Sequence, residues 1–316
     1  MQFARLIASA ILLLPNGLAF QTIDHHRRFL RQSSLLSTGG LGENGGATSS
    51  SLTSAILHRK SCKQFQRFDG RDGQQTTDAS PADPQIVMLA KQCLDLSRRT
   101  PSSFNTQPYK VCLVRDVEQK AALARHCLGP NKARVRDGDC TVVFLADRQV
   151  MRTFSKYTDM LEKHYGKQDR KNLLRTLFYI SIFSSGYPLP RILASPLSFL
   201  ARLCFSFVNL FTRKFYPMPS LANAETWASK QCLMVAMTFL LSCTSLHLAT
   251  APMEGFNAGG IRRVLRIPAR YSIPLIITVG KPISPPSATA DPLAANDRYS
   301  LEDILYDGSF GTAFAT

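Results

Sequence analysis

Two short runs, Thr141–Ala146 and Pro274–Val279, constrain the fold of this chain more than any other feature. Both are apolar or β-branched at nearly every position. A run without polar alternation reads as a strand buried on both faces, and each is far shorter than the roughly 18 residues needed to cross a bilayer. The cover for such strands is legible as helical period. Pro84–Arg98 follows a turn from Pro81 to Pro84 and has apolar residues at 86, 87, 89, 90, 93, 94 and 96, close to the 3.6 repeat. Glu225–Leu246 carries Ala, Met and Leu nearly all round, which describes a buried helix suited to a subunit interface. Weaker signals mark a strand at Val111–Val114, a helix at Val117–Cys127 and a last short element at Leu301–Leu305. Pro101–Pro108 reads as an irregular polar loop and 281–297 as a Pro/Ala-rich arm. The order is mixed α and β around few strands, with no internal repeat and no βαβ unit bearing a dinucleotide fingerprint.

Charge narrows the function class. The 316 residues hold 38 Lys+Arg against 22 Asp+Glu, a formal charge of +16, which invites a nucleic-acid reading. The excess is local: residues 1–56 carry a net +2, whereas 147–216 carry twelve basic and four acidic groups, a net +8. There is no Lys/Arg tail, zinc-finger spacing or aromatic/basic RNA-binding motif, so nucleic acid is not an expected partner. The eight cysteines form no C-x-x-C pair and mostly sit in apolar runs such as Val111-Cys112-Leu113. There they act as small hydrophobes of a reducing compartment, and no Cys/His cluster points to a metal.

The N-terminus reads as an address. Arg5 precedes the apolar run Leu6–Leu14, and Gly17 and Ala19 suit cleavage before Phe20, so 1–19 is a signal peptide by pattern. Residues 20–55 are rich in Ser, Gly and Thr, carry Arg and His, and are poor in acids; this is a disordered segment of transit-peptide composition. The combination resembles the bipartite presequences of algae with complex plastids. Plain secretion and a mitochondrial presequence are the alternatives. The remaining 56–316 is one domain with an apolar, basic insertion at about 170–220.

Several segments in order carry a resemblance. They are His58–Phe65 (HRKSCKQF), Pro101–Tyr109 (PSSFNTQPY), Pro252–Phe256 (PMEGF), the strand ending at Gly280, and Asn296–Gly308 around Arg298. The chain from 55 to 310, apart from the insertion, resembles the nitroreductase-like flavoproteins. The resemblance implies an α+β, nitroreductase-like fold: a central, mainly antiparallel β-sheet flanked by helices, in an intertwined homodimer. It also implies FMN as cofactor and NAD(P)H as co-substrate. A ping-pong flavin mechanism would pass electrons to a quinone, nitroaromatic or similar small acceptor.

The resemblance places Arg59 and Ser61 at the phosphate and ribityl chain, with Lys63 in place of a second Arg. Fixed charge and hydroxyl donors at alternate positions suit a phosphate, although a solvated helix start has the same composition. Pro101, Ser102 and Ser103 fall in the loop that reaches the flavin ring from the neighbouring subunit, with Asn105 and Gln107 as its amides and Tyr109 replacing a Trp. Asn131 and Arg134 stand where the family places an Asn and a Lys near FMN. Pro252, Glu254 and Gly255 form the turn whose backbone N–H groups face flavin N5, where Gly permits close approach. A turn that merely stops a helix would look alike, and Gly259-Gly260 would serve that purpose too. Arg298 resembles the C-terminal phosphate contact, but its usual Lys companion is Asn296 here. No catalytic side chain is implied, because the flavin carries the chemistry. A specialised reductase or dehalogenase of the same superfamily, or a flavin-binding membrane-surface protein with little turnover, would share these motifs.

The insertion is the departure. On a helix begun at Pro196 with Ser195 as N-cap, Ser198, Arg202, Ser206, Asn209 and Arg213 share an arc of about 80° at 100° per residue. Leu and Phe fill the rest. That pattern fits a membrane-surface helix over 195–214, a lid over the flavin, or a helix packed in the core or dimer interface.

Overall fold

The computed structural model describes residues 52–67, 79, 81–166, 170–186, 222–283 and 298–313, and within 187–221 residues 196, 199, 200, 203, 204, 206, 207 and 210. The address segment up to residue 51, the Ser195 cap and most of the Pro/Ala-rich arm lie outside them.

Four strands, β1 (Tyr109–Val114), β2 (Cys140–Asp147), β3 (Ala249–Met253) and β4 (Tyr271–Gly280), form one sheet in the order β1-β2-β4-β3, with every neighbouring pair antiparallel. The two runs singled out in the sequence are the two central strands, as their apolar character requires. Every residue of β2 is buried. Alternation sends Cys140, Val142, Phe144 and Ala146 to one face of the sheet and Val143 and Leu145 to the other.

Pro274 was expected to start its strand, because it has no N–H for the ladder. Instead β4 begins at Tyr271 and runs through it. Register explains this: Phe144 pairs with Leu275 but Ala146 with Ser272, so β4 carries one extra residue at this point. Such a bulge tolerates Pro in a central strand. It also changes phase, so Leu275, Ile277 and Val279 face one core and Ile273 and Ile276 the other.

Helices cover both faces. On the first, α2 (Pro84–Ser97) and α7 (Ala224–Ser245) pack their apolar stripes on β2 and β4. Asp83 caps α2 through the Gln85 N–H at 2.9 Å, and Asn223 caps α7 through the Thr226 N–H at 2.8 Å. α7 is not buried all round within this chain. Trp227, Cys232, Val235, Phe239 and Cys243 are buried, but Leu233, Met234 and Met237 on its other side are exposed. On the second face lie α3 (Val117–Ala124), α4 (Asn131–Asp137) and α8 (Ala258–Val264), with Leu123, Val135 and Ile261 fully buried among them.

Helical structure is described on both sides of position 56. Helix α1 (Leu52–His58) lies partly in the segment of transit-peptide composition, and its Ala55 is buried. Before α7 come α5 (Phe154–Tyr165) and α6 (Arg170–Ser184), and α9 (Leu301–Ile304) closes the described chain. All eight cysteines are free, and six are buried. Burial pushes the Cys140 and Cys232 thiols up to about 12.

Candidate functional site

The expected site residues fall into two groups at opposite edges of the sheet. At the β3 edge, the segment after α1 runs beside β3: Ser61 bridges to Thr250 and the Cys62 N–H donates to the Thr250 carbonyl at 2.8 Å. This sets Arg59, half-buried, and Ser61 and Lys63, both exposed, along the outside of the sheet. β3 leaves the sheet at Met253, and the Glu254–Gly255 turn follows. The Gly255 carbonyl accepts from the Leu128 N–H at 3.0 Å and from Asn131 Nδ2 at 3.2 Å. Asn131 Oδ1 in turn accepts from Arg134 NH1 at 2.8 Å, and Arg134 Nε donates to the Lys63 carbonyl at 3.3 Å. One line of hydrogen bonds therefore joins Gly255, Asn131, Arg134 and Lys63, residues from three distant stretches of chain.

The i, i+3 spacing of Asn131 and Arg134 works because both lie on one face of α4. A Cβ at Gly255 would stand 2.9 Å from Asn131 Nδ2, so a side chain there would displace the Asn131 amide. Glu254 is exposed and Gly255 half-buried, so the backbone N–H groups of this turn lie near the surface. With the Arg134 guanidinium, which is linked to the turn through Asn131, they suit an anionic, acceptor-rich ligand. Arg134 also makes itself felt at Cys62. Burial raises that thiol's pKa, while the bond to the Gln64 carbonyl and the Arg134 charge pull it down.

The Gly259-Gly260 pair does not stop a helix. Both lie inside α8, which Asn257 starts by accepting from the Gly260 N–H at 3.0 Å. A Cβ at Gly260 would collide with the His126 ring, so this glycine serves packing.

At the β1 edge, Pro101–Gln107 forms a tight loop ahead of Tyr109. Phe104, Asn105 and Gln107 all hold positive φ, at 55°, 54° and 47°, a conformation that costs a non-glycine residue of order 1 kcal/mol or more and gathers at functional loops. Local bonds hold it: Ser102 Oγ accepts from the Gln107 N–H at 3.0 Å and the Ser102 carbonyl from the Asn105 N–H at 2.8 Å. The tether to the core is Gln231 Oε1 of α7, which accepts from the Ser103 N–H at 2.9 Å. The Phe104 ring meets Phe183 of α6 with centroids 5.7 Å apart. Tyr109, in place of the family's Trp, is half-buried.

Arg298 is exposed at the start of the C-terminal segment, ahead of α9. Sequence reading missed two supporting residues. Gln231 is a polar group on the buried face of an apolar helix, and that misfit was the available signal. Lys120 of α3 is fully buried and donates from Nζ to the Gly138 carbonyl at 2.6 Å, at the C-terminal end of α4. Burial lowers its pKa to about 8 against the pull of Asp139. A lysine in a short amphipathic helix gives no such sign.

Fold and site together define an α+β protein with an anion-receptive sheet edge. The chain belongs to the Nitroreductase family, whose model matches residues 88–281. This membership marks it as an oxidoreductase. It is 24% identical over 228 residues to a protein of Thermus thermophilus named NADH dehydrogenase, covering 72% of this chain and 85% of that one. Its fold resembles that of an NAD(P)H:FMN oxidoreductase from Staphylococcus epidermidis, with TM-score 0.58, 16% identity, and 84% and 100% of the two chains covered. It also resembles a nitroreductase from Exiguobacterium sibiricum solved in complex with FMN, with TM-score 0.52, 14% identity, and 80% and 99% covered.

Proposed function

We propose that the protein is a homodimeric, FMN-dependent NAD(P)H oxidoreductase that delivers electrons to a small acceptor such as a quinone or nitroaromatic. The observation that carries this reading is the hydrogen-bonded line Gly255–Asn131–Arg134–Lys63 at the surface turn Glu254–Gly255. When bound, FMN supplies the two-electron chemistry, accepting hydride from NAD(P)H and passing electrons on.

The chain's own residues bind and orient. Arg59, Ser61 and Lys63 hold phosphate and ribityl oxygens at the outer side of β3, and Arg298 adds a further charge from the C-terminal segment. Arg134, fixed by Asn131, keeps positive charge at the electron-rich side of the ring. The Glu254 and Gly255 N–H groups stabilise negative charge that develops during reduction. No side chain needs to move a proton at the ring.

Sheet order supports the dimer part of this reading. The Pro101–Gln107 loop enters β1 at one edge, while the cationic cluster flanks β3 at the other, three strand spacings or about 14 Å away. On this reading Pro101, Ser102, Ser103, Asn105 and Gln107 line the ring held by the other copy's β3 edge. The exposed Leu233, Met234 and Met237 of α7, with Met88 and Leu96 of α2, offer an apolar face for it. The address-like N-terminus supports delivery to a plastid, testable by fusing 1–55 to a fluorescent protein.

The experiment is an anaerobic titration. Purified dimer is expected to be yellow, to release FMN on denaturation, to bleach with NADH or NADPH and to recover colour with a soluble quinone. Protein that takes up no flavin overturns the reading. Yellow protein that neither nucleotide bleaches instead favours flavin binding with little turnover.

A further inference from the structure

The described residues between α6 and α7 expose large apolar side chains on one helical stripe. The described residues 196, 199, 200, 203, 204, 206, 207 and 210 are all helical and all exposed. At 100° per residue, Phe199, Leu200, Leu203, Phe207 and Leu210 fall within about 100° of one another, and each is between 54% and 70% exposed. Five large apolar residues on one helical stripe, open to solvent, exceed what scattered surface hydrophobes explain.

Charge indicates what covers the stripe. Between Asp169 and Glu225 the sequence holds no acidic residue and seven basic ones: Arg170, Lys171, Arg175, Arg191, Arg202, Arg213 and Lys214. By helical period Arg202 and Arg213 fall on the polar strip that borders the stripe, where long cationic side chains reach outward from an apolar contact. A face meant for a second protein chain has no need for a surrounding of one sign. A phospholipid surface with anionic headgroups does, and among the described residues no helix is long and apolar enough to cross the membrane.

From this we infer that the stripe of Phe199, Leu200, Leu203, Phe207 and Leu210 docks the protein on the surface of an anionic bilayer. The stripe sits at the level of the acyl-chain boundary and the flanking Arg and Lys sit among the headgroups. The inference is independent of the flavin reading, since it concerns a different segment and a different ligand. If both hold, the acceptor of choice is a quinone dissolved in that bilayer.

The test is flotation of the full-length chain with vesicles of phosphatidylcholine alone and of phosphatidylcholine mixed with phosphatidylglycerol. Wild type is expected to float with the mixed vesicles, to float far less with the neutral ones, and to be released by high salt. The double variant Leu200→Glu/Leu203→Glu should lose affinity for the mixed vesicles by at least about tenfold, with its circular dichroism and elution volume unchanged. Arg202→Gln/Arg213→Gln, which leaves the stripe intact, should lose the preference for anionic vesicles, and it carries the test should the first variant fold poorly. Wild type that does not float, or a stripe variant that floats equally well, overturns the inference; the latter would move the anchor to the apolar Leu6–Leu14, present in both. A stripe variant that changes oligomeric state, with wild type absent from vesicles, assigns the stripe to a second copy and overturns it as well.

Discussion

The two outer edges of the sheet solve different problems. At the β3 edge the chain assembles a cluster by itself: three distant stretches meet, and each polar side chain in the line Gly255–Asn131–Arg134–Lys63 is fixed by the next. At the β1 edge the Pro101–Gln107 loop meets single groups of three helices, Gln231 of α7, the Phe183 ring of α6 and the Met160 sulfur of α5, and three of its residues hold positive φ. One edge is a side-chain cluster drawn from three stretches of chain. The other is a locally braced loop. On the proposed function the difference separates two tasks, with affinity built at β3 and the pocket completed by the β1 loop of a second copy.

Substitutions that act on one edge only can break that division. The largest effect is expected from Gly255→Val. Its side chain would press on Asn131 Nδ2 and cover the N–H groups of the turn, so flavin affinity should fall on the order of 100-fold; bound-flavin absorbance after gel filtration measures it. Retention of flavin at wild-type level would remove the β3 edge from the site. Gln231→Ala comes next and acts on the other edge. The Ser103 N–H loses its acceptor, worth about 1 kcal/mol, and turnover should drop about fivefold while flavin stays bound. Equal losses in flavin binding and turnover would contradict the division.

The smallest effect is at Lys120, beneath α4. Its folded pKa of about 8 lies below the ordinary 10.5, so between these values the unfolded chain binds more protons and this group's contribution to stability rises with pH. Relative to Lys120→Met, wild type should gain about 2 kcal/mol between pH 7.5 and 9.5, read as the change in the urea-unfolding difference between the two proteins. An invariant difference would mean that Lys120 is not held in a desolvated site.

Much of this was legible in the residues. The central strands announced themselves as unbroken apolar runs, and α2 and α7 as periodic or wholly apolar segments. What escaped was set by tertiary context. β3 contains Pro252, which argues against a strand except at an edge or bulge, and only the topology makes this strand an edge. The extension of β4 through Pro274 depends on a bulge that pairing, not composition, creates. Of the site, Asn131, Arg134, Lys63 and Gly255 were named from motifs, yet their mutual bonds arise because α4 and the 61–65 segment converge on the turn after β3. The support from Gln231 and Lys120 was invisible because a hydrogen bond to a distant backbone group leaves no local pattern. Which side of the all-apolar α7 its own chain covers, leaving Leu233, Met234 and Met237 exposed, is likewise not written in the sequence.

Pro252 also bears on how the newly made protein survives its own concentration. A short outer strand with free backbone groups invites strands of other molecules to add on, the first step of amyloid-like stacking. Here β3 spans only five residues, Ser61 and Cys62 already occupy its flank at Thr250, and the proline withholds one of the donors an incoming strand would need. The edge that forms the cationic cluster is therefore also a closed end, where intermolecular β-sheet growth stops.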